Sequence, residues 1–163
     1  MKKSLLVASL MTSLSLPAYG QQPQWAIHAG VFDSFRSHNA AEVGFEYRFA
    51  AQPPLFYLIP AIGLTINDDG GYWAHLGLRY DFPLNEHWAL TPNFSLVGYE
   101  KGSGKDLGGG LQFRTGLELA YKIDDYSRIG LGIYHLSNGN LHQKNPGAES
   151  VFVTYSFSTG TKK

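Results

Sequence analysis

The sequence predicts an all-β fold: an eight-stranded antiparallel transmembrane β-barrel of the outer-membrane type. Three observations lead to this prediction. The 163 residues include 14% aromatic but only 16% charged residues, whereas a typical soluble domain has roughly 25% charged residues. The N-terminus has the features of a secretory signal peptide. The remainder alternates apolar and polar residues in long runs, and this two-residue period is typical of β-strands.

Residues 1–20 are predicted to be the signal peptide. Two lysines follow the initial methionine, residues 4–16 form an apolar run, and a proline ends the run. Ala18 and Gly20 place small residues where a signal peptidase recognises them, so we expect cleavage after Gly20. A membrane anchor is disfavoured because the run is shorter than the about 20 residues that a spanning helix needs. The remaining residues, 21–163, are predicted to be one domain.

Eight runs of alternating residues follow the signal peptide. They cover residues 24–32, 39–49, 54–66, 71–82, 87–99, 107–122, 127–137 and 149–158. Strands in ordinary sheets have about five or six residues. The greater length of these runs favours strands that cross a membrane.

The two faces of the runs differ in chemistry. In the second run Val43, Phe45 and Tyr47 share one face, and the opposite face combines glycine with charged residues. Over all runs the polar faces carry four acids and four arginines: Glu42, Glu46, Asp81, Glu118, Arg48, Arg79, Arg114 and Arg128. Balanced charge suits a buried ion-pair network, because an unpaired buried charge is costly. We therefore expect the apolar faces to contact lipid and the polar faces to fill a narrow lumen.

Aromatic residues and histidines support the same arrangement. Seven aromatic residues lie near run ends, as an interfacial girdle requires: Trp25, Tyr47, Tyr72, Tyr80, Trp88, Tyr121 and Tyr155. His28 and His75 lie on polar faces and are predicted to fill the lumen. A soluble barrel of the lipocalin or streptavidin kind, with its apolar face inward, remains the alternative.

The links between runs predict the orientation of the barrel. Short links are expected at 50–53, 83–86 and 124–125, whereas the other links are mostly longer, notably 100–106 and 138–148. Short turns are periplasmic and long loops extracellular in outer-membrane barrels. An even number of strands then places both termini in the periplasm.

Polar residues interrupt the outward face of the last two runs. His135 and Ser137 continue the apolar face of the seventh run, and Glu149 begins the same face of the eighth. If His135 pairs with Glu149, their Cβ atoms lie about 5 Å apart, and Ser137 lies about 6–7 Å further along the strand. Such residues can perform ester hydrolysis: the carboxylate orients the imidazole, which takes the proton of the serine nucleophile. The alternative is that all three are ordinary polar residues of a barrel rim.

The sequence around these residues resembles a known family. Residues 134–140, Tyr-His-Leu-Ser-Asn-Gly-Asn, followed by Glu149 and Ser150, are similar to the C-terminal signature of the lipid A 3-O-deacylases of the PagL type. The His-x-Ser-Asn core and the step of twelve residues from Ser137 to Glu149 agree with the family pattern, as do the signal peptide, the chain length and the number of strands. The first 120 residues resemble the family only in architecture.

The resemblance implies a function and a role for each residue. The protein would be an outer-membrane esterase that removes the hydroxyacyl chain linked to position 3 of lipid A. Ser137 would be the nucleophile, His135 the general base and Glu149 the acid that orients it, without a metal or another cofactor. An oxyanion hole is implied in the loop after the serine.

Three asparagines of this loop are candidate oxyanion donors. Asn145 is the first choice for a side-chain donor, and Asn138 and Asn140 are the others. In a member of the family the position of Asn140 is a glycine that offers its backbone N–H, which an asparagine retains. All three could instead be turn residues, since asparagine is common in turns.

The expected partners follow from the two alternatives left open. An esterase would act on lipid A or lipopolysaccharide and contact outer-membrane lipid, whereas a non-enzymatic barrel would have a structural or adhesive role. Thirteen basic and thirteen acidic residues balance, so no nucleic-acid partner is expected. The absence of cysteine excludes disulfides and thiolate metal sites. The sequence does not distinguish a monomer from a homodimer.

Overall fold

A computed structural model describes residues 22–36 and 39–158, which form a closed antiparallel barrel of eight strands. The strands are β1 Gln24–Phe32, β2 Ala40–Arg48, β3 Ile59–Asn67, β4 Tyr72–Arg79, β5 Trp88–Glu100, β6 Leu111–Lys122, β7 Ser127–Ser137 and β8 Ala148–Ser158. Each strand pairs with its neighbours in the chain, and β1 pairs with β8 to close the barrel. The short stretch Phe82–Pro83 continues β4 along the same partner, β5. The predicted fold class is confirmed, while the predicted signal peptide lies outside the described residues.

Two strands begin more than one residue later than predicted. Strand β3 begins at Ile59 because the prolines at 53 and 54 start a 3-10 turn, Pro53–Leu55, and cannot donate to a strand ladder. Strand β6 begins at Leu111 because Gly108 adopts a left-handed conformation, with φ of 89°, and donates its N–H to Asp106 Oδ1 at 2.8 Å. No helix within 22–36 and 39–158 is long and apolar enough to cross a membrane.

The links lie at two ends of the barrel, and the predicted length of one link is wrong. The loop end carries links 33–39, 68–71, 101–110 and 138–147, and the turn end carries links 49–58, 84–87 and 123–126. Link 49–58 was expected to be a tight turn but has ten residues, because the proline pair prevents an immediate return. Link 68–71 is short because Gly70 has a φ of 74° and Asn67 Oδ1 accepts the N–H of Gly71 at 2.7 Å.

The predicted alternation of faces is observed. Val43 and Phe45 are 47% and 46% exposed on the outer wall, whereas Glu42, Glu46 and Arg48, on the opposite face of the same strand, are buried in the lumen. Among the described residues, most of the exposed large apolar side chains lie on the outer faces of strands. This arrangement is the reverse of the soluble alternative, in which the apolar face would point inward.

The lumen is filled by an ion-pair network from its middle to the turn end and by aromatic residues toward the loop end. Glu46 accepts hydrogen bonds from Arg48 and Arg79 at 2.7 and 3.1 Å, and from His75 at 2.9 Å. Glu118 also accepts from Arg48 and Arg79, at 3.1 and 2.6 Å. All eight predicted lumen charges are buried. Toward the loop end the packing is apolar, contrary to the expectation of small and polar groups, and includes Phe32, Trp73, Tyr99, Leu136 and Phe152.

The predicted aromatic girdle lies mainly at one end. Trp25, Tyr47, Tyr80, Trp88, Tyr121 and Tyr155 all lie toward the turn end, and Tyr72 alone of the predicted set begins its strand at the loop end. Several members contact each other: the ring centroids of Trp25 and Tyr47 are 4.5 Å apart, and those of Trp88 and Tyr121 are 5.0 Å apart. The turn end is therefore the aromatic end of the wall.

Candidate active site

His135 and Glu149 form a hydrogen-bonded pair on the outer wall near the loop end. The antiparallel register of β7 and β8 places them directly opposite each other, the pairing on which the sequence-based prediction of the site is conditional. His135 Nδ1 and Glu149 Oε1 are 3.0 Å apart, and the side chains are 44% and 29% exposed. Because a carboxylate only accepts hydrogen bonds, Nδ1 carries the proton, and in the neutral ring Nε2 is then the free acceptor. The pair thus has the geometry of a general base and the acid that orients it.

Ser137 lies on the same face of β7, two residues beyond His135 and opposite Phe113 of β6. Its hydroxyl is partly exposed and makes no hydrogen bond to any residue that the structure describes. The structure therefore brings the acid and base into contact and leaves the serine beside them. Catalytic hydrogen bonds are often long or absent without substrate and form in the substrate complex.

A buried cluster on the lumen side supports the strands behind this pair. Tyr134 and Ser150 are themselves opposite each other, next to His135 and Glu149 in the ladder. The Tyr134 hydroxyl donates to Glu42 Oε2 at 2.6 Å, and the Ser150 hydroxyl donates to the same oxygen at 3.0 Å. We call these three residues, Glu42, Tyr134 and Ser150, the lumen clamp. It joins β2 to β7 and β8 across the barrel, and Glu42 is the one predicted lumen acid that hydrogen-bonds hydroxyls and no arginine.

Two hydrogen bonds near the loop end fix the backbone of β8 around Glu149. The Ser34 N–H donates to the Glu149 carbonyl at 2.8 Å, and the Val151 N–H donates to the Ser34 hydroxyl at 3.0 Å. Gly147 has a φ of 63°, and a Cβ atom there would lie 2.6 Å from His135 Cε1. Any larger residue at 147 would be strained and would displace the imidazole.

Asn138, the first of the three asparagines, anchors the loop that follows the serine. Its side-chain amide is buried and donates to the carbonyls of Leu107 and Lys144, at 2.9 and 2.7 Å. Its backbone N–H donates to Asn145 Oδ1 at 3.0 Å. The donors of Asn138 therefore hold link 138–147 against link 101–110 and do not point at a substrate.

Asn145 and Asn140 remain available near the serine. Asn145 is partly exposed, and its amide donates one hydrogen to Asn140 Oδ1 at 3.0 Å, which leaves the second N–H for another acceptor. Asn140 has a φ of 64°, a conformation that asparagine tolerates better than most residues. The side chain of Asn140 thus orients that of Asn145, a contact that a glycine at position 140 could not make.

A shallow groove on the outer wall begins at the His135–Glu149 pair. Its volume is about 320 Å³, and Thr115, Leu117 and Ile133 contribute to its lining. Thr115 lies opposite His135, and Leu117 lies opposite Ile133 one step closer to the middle of the wall. One end of the groove is therefore polar and the other apolar, which suits a molecule with an ester head and a hydrocarbon chain.

The charged residues of the loops are mostly paired. Lys105 contacts Asp33 at 2.7 Å, and Lys144 contacts Asp106 at 2.9 Å. The hydrogen bond from the Lys144 ammonium, with a second from a backbone N–H, lowers the pKa of the Asp106 carboxyl. Within the described residues no group of three or more His, Asp or Glu side chains is arranged to hold a metal ion.

The sequence prediction missed several supporting residues. Thr115 could have been identified from the sequence. It is the polar residue on the outward face of β6, which otherwise carries Leu111, Phe113, Leu117 and Leu119. The lumen clamp could not be predicted from the sequence, because Glu42 is far in the chain from the other two members and meets them only across the barrel. Ser34 contacts β8 through its backbone N–H and its hydroxyl from a distant loop, and Gly147 acts through its backbone conformation, so residue type alone does not reveal either role.

Comparison with solved structures supports the fold. The crystal structure of the outer membrane enzyme PagL aligns with a TM-score of 0.63 and 18% identity, over 82% of this chain and 98% of that one. A de novo designed transmembrane β-barrel aligns with a TM-score of 0.63 and 10% identity, over 87% of this chain and 98% of the other. Neisserial surface protein A aligns with a TM-score of 0.55 and 13% identity, over 88% of this chain and 99% of that one. At these identities the similarity concerns the fold alone.

Comparison of the sequence with protein families is more specific. No curated protein sequence matches significantly. The profile of the family described as lipid A 3-O-deacylase (PagL) matches residues 63–158, more than half of the chain, and this range includes His135, Ser137 and Glu149. The chain therefore belongs to the PagL family of lipid A 3-O-deacylases.

Proposed function

We propose that this protein is an outer-membrane serine esterase that hydrolyses the 3-O-linked hydroxyacyl chain of lipid A. Family membership supports the reaction. The observation that carries the mechanism is the 3.0 Å contact between His135 and Glu149 on the outer wall, with Ser137 on the same face of β7. The groove that starts at this pair supports a substrate with a hydrocarbon chain.

In the proposed first half-reaction His135 Nε2 takes the proton of the Ser137 hydroxyl while the oxygen attacks the ester carbonyl. Glu149 holds the ring in the tautomer that leaves Nε2 free, and it stabilises the imidazolium that forms. The tetrahedral intermediate collapses, His135 returns the proton to the departing sugar oxygen, and a hydroxyacyl ester of Ser137 remains. Water, activated by the same imidazole, then releases a free hydroxy fatty acid and restores the serine.

The negative charge on the carbonyl oxygen requires hydrogen-bond donors. The second amide N–H of Asn145 is the first candidate, and the backbone N–H of Asn140 is the second. Removal of one such donor typically lowers kcat by about 10²- to 10³-fold. Asn138 is the weakest of the three candidates, because its amide and its N–H are already engaged within the protein.

We further propose the placement of the site in the membrane. The loop end faces the cell exterior, the site lies level with the outer leaflet, and the aromatic turn end faces the periplasm. Residues 1–20 are proposed to be a cleaved signal peptide that precedes a barrel domain of residues 21–163. The protein thereby reaches a lipid whose acyl chains are accessible only from within the membrane plane.

Mass spectrometry of lipid A tests the proposal. Cells that express the wild type should lose the mass of one hydroxyacyl chain from lipid A, and cells that express Ser137→Ala should not. Ser103→Ala, a change of the same type in link 101–110, is the matched control and should behave as the wild type. Heat-dependent gel migration establishes that each barrel is folded. Unchanged lipid A with folded wild-type protein would contradict the esterase and support a non-enzymatic barrel.

A further inference from the structure

The ten-residue link 49–58 between β2 and β3 differs from the other links at the turn end. Its sequence, Phe-Ala-Ala-Gln-Pro-Pro-Leu-Phe-Tyr-Leu, contains no charged residue. The other two links at this end carry Glu86 and the pair Asp124 and Asp125. An uncharged, aromatic segment of this length is unusual for a turn that faces only water.

This link continues the β2–β3 hairpin beyond the regular strands. The Phe49 N–H donates to the Pro60 carbonyl at 2.9 Å, and the Gln52 N–H donates to the Leu58 carbonyl at 2.9 Å. The 3-10 turn then forms the tip of the hairpin. Leu55, Phe56 and Tyr57 at the tip are 49%, 84% and 46% exposed. We call these three residues the apolar tip.

The backbone conformation of the tip is unfavourable for aromatic residues. Phe56 and Tyr57 have φ values of 56° and 63°, in the left-handed region that favours glycine or asparagine. Two bulky aromatic residues in succession are strained in this conformation. Such strain at exposed residues points to a use for the side chains themselves.

Aromatic contacts join the first residue of the link to the girdle of the outer wall. Trp25 contacts Tyr47 in a tilted arrangement with ring centroids 4.5 Å apart, and Tyr47 packs edge-to-face on Phe49, the first residue of the link, at 4.8 Å. Phe49 is itself 42% exposed on the outer side. The surface that the wall offers to lipid therefore continues onto the hairpin.

From this continuity, the lack of charge and the strained exposed aromatics, we infer that the apolar tip is a membrane anchor that inserts into the periplasmic leaflet of the outer membrane, at the boundary between head groups and acyl chains. Aromatic and aliphatic side chains are stable at this depth. The anchor would fix the depth of the barrel on the side of β2 and β3. This inference depends on the membrane placement proposed above, but not on the esterase mechanism.

Spin labels at single cysteines test the inference, because the chain contains no cysteine of its own. Phe56→Cys and Tyr57→Cys report on the tip, and either suffices if the other fails to fold. Leu131→Cys, at a residue 58% exposed on the middle of the wall, is the lipid reference. Asp125→Cys, at a side chain 57% exposed in another turn, is the water reference. Each labelled barrel is folded into phospholipid vesicles, and the collision rates of the label with oxygen and with a water-soluble nickel chelate are compared.

The inference expects the ratio of oxygen to nickel collisions at residue 56 or 57 to lie well above that at residue 125 and below that at residue 131. A ratio equal to that at residue 125 would overturn the anchor. Low collision rates with both reagents that rise when the protein is diluted in lipid would assign the tip to a contact between copies, which also overturns it. A water-like ratio at residue 131 would overturn the membrane placement itself, so the two failures are distinguishable.

Discussion

The outer and lumen faces of β7 and β8 differ sharply, although the pairs Tyr134–Ser150 and His135–Glu149 occupy adjacent positions of the same ladder. On the outer face His135 and Glu149 are partly exposed and share one hydrogen bond, and Ser137 has none among the described residues. On the lumen face Tyr134 and Ser150 are buried and both donate to Glu42. Strand alternation thus separates the side chains proposed to react from the buried ones at adjacent residues. The hydrogen bonds of the buried face hold β7 and β8 against β2. The position of His135 and Glu149 on the outer face therefore requires few contacts of their own.

The largest expected effect compares two serines on the two faces. Ser137→Ala should lower the rate of deacylation by about 10⁴-fold or more, because the nucleophile is lost, and it should leave stability unchanged. Ser150→Ala should retain activity within about tenfold and lower the free energy of unfolding by about 1 kcal/mol, the typical net contribution of one hydrogen bond. Rates with purified lipid A and urea unfolding in vesicles measure the two quantities. Comparable loss of activity in both variants would contradict the separation of the faces.

Two glutamates provide the next comparison. Glu149→Gln should lower kcat by about 10³- to 10⁴-fold, because an amide orients the imidazole less well and does not stabilise its charged form. Glu42→Gln keeps an oxygen that can accept from Tyr134 and Ser150, so its kcat should fall by less than about tenfold. Steady-state kinetics of both variants in the same detergent distinguish the roles. If Glu42→Gln were as inactive as Glu149→Gln, Glu42 would have a direct role in the reaction.

Asn145→Ala should have a smaller effect than loss of the nucleophile. The expected decrease is about 10²-fold in kcat with little change in KM, because an oxyanion donor acts mainly in the transition state. Asn140→Gly removes the acceptor that orients the Asn145 amide and keeps a backbone N–H, so a decrease of only a few-fold is expected. Normal kinetics in Asn145→Ala would contradict its role as donor and would favour the backbone N–H of Asn140, which Asn140→Gly retains.

The smallest expected effect concerns Thr115, the polar residue opposite His135. We expect the Thr115 hydroxyl, beside His135 in the groove, to hydrogen-bond the hydroxyl group of the acyl chain. Thr115→Val keeps the shape of the groove but removes this hydrogen bond, so deacylation should slow by about two- to tenfold. The same substitution should have no effect on a substrate whose acyl chain lacks its own hydroxyl group. Equal slowing with both substrates would show that Thr115 shapes the groove and does not bind the acyl hydroxyl.

The local alternation of residues predicts which side chains face outward and which face the lumen. The residues that support the candidate site are determined by long-range contacts, which local alternation does not reveal. The two-residue period placed Glu46 and Arg79 in the lumen and Phe45 outside, because each residue's face depends only on its position along a strand. The same parity placed His135 and Glu149 on one face of β7 and β8, but it did not fix the register, which the structure provides. Glu42 was correctly placed in the lumen, but its partners lie 92 and 108 residues away, and no local pattern identifies them.

Backbone geometry explains the remaining differences. The prolines at 53 and 54 converted an expected tight turn into the long β2–β3 hairpin. Asn138 matched the family signature as a possible oxyanion donor, yet its amide binds two loop carbonyls. Residue type indicates that an asparagine can donate, but the fold determines which acceptor it meets.

Detection of a hydroxyacyl group on Ser137 tests the central claim most directly. Purified barrel is mixed with lipid A, quenched with acid within one turnover, digested and analysed by mass spectrometry. The account predicts a peptide that contains Ser137 with the added mass of one hydroxyacyl group, absent from His135→Asn and Ser137→Ala. Deacylation of lipid A without any acyl-enzyme, or with the acyl group on another residue, would contradict it.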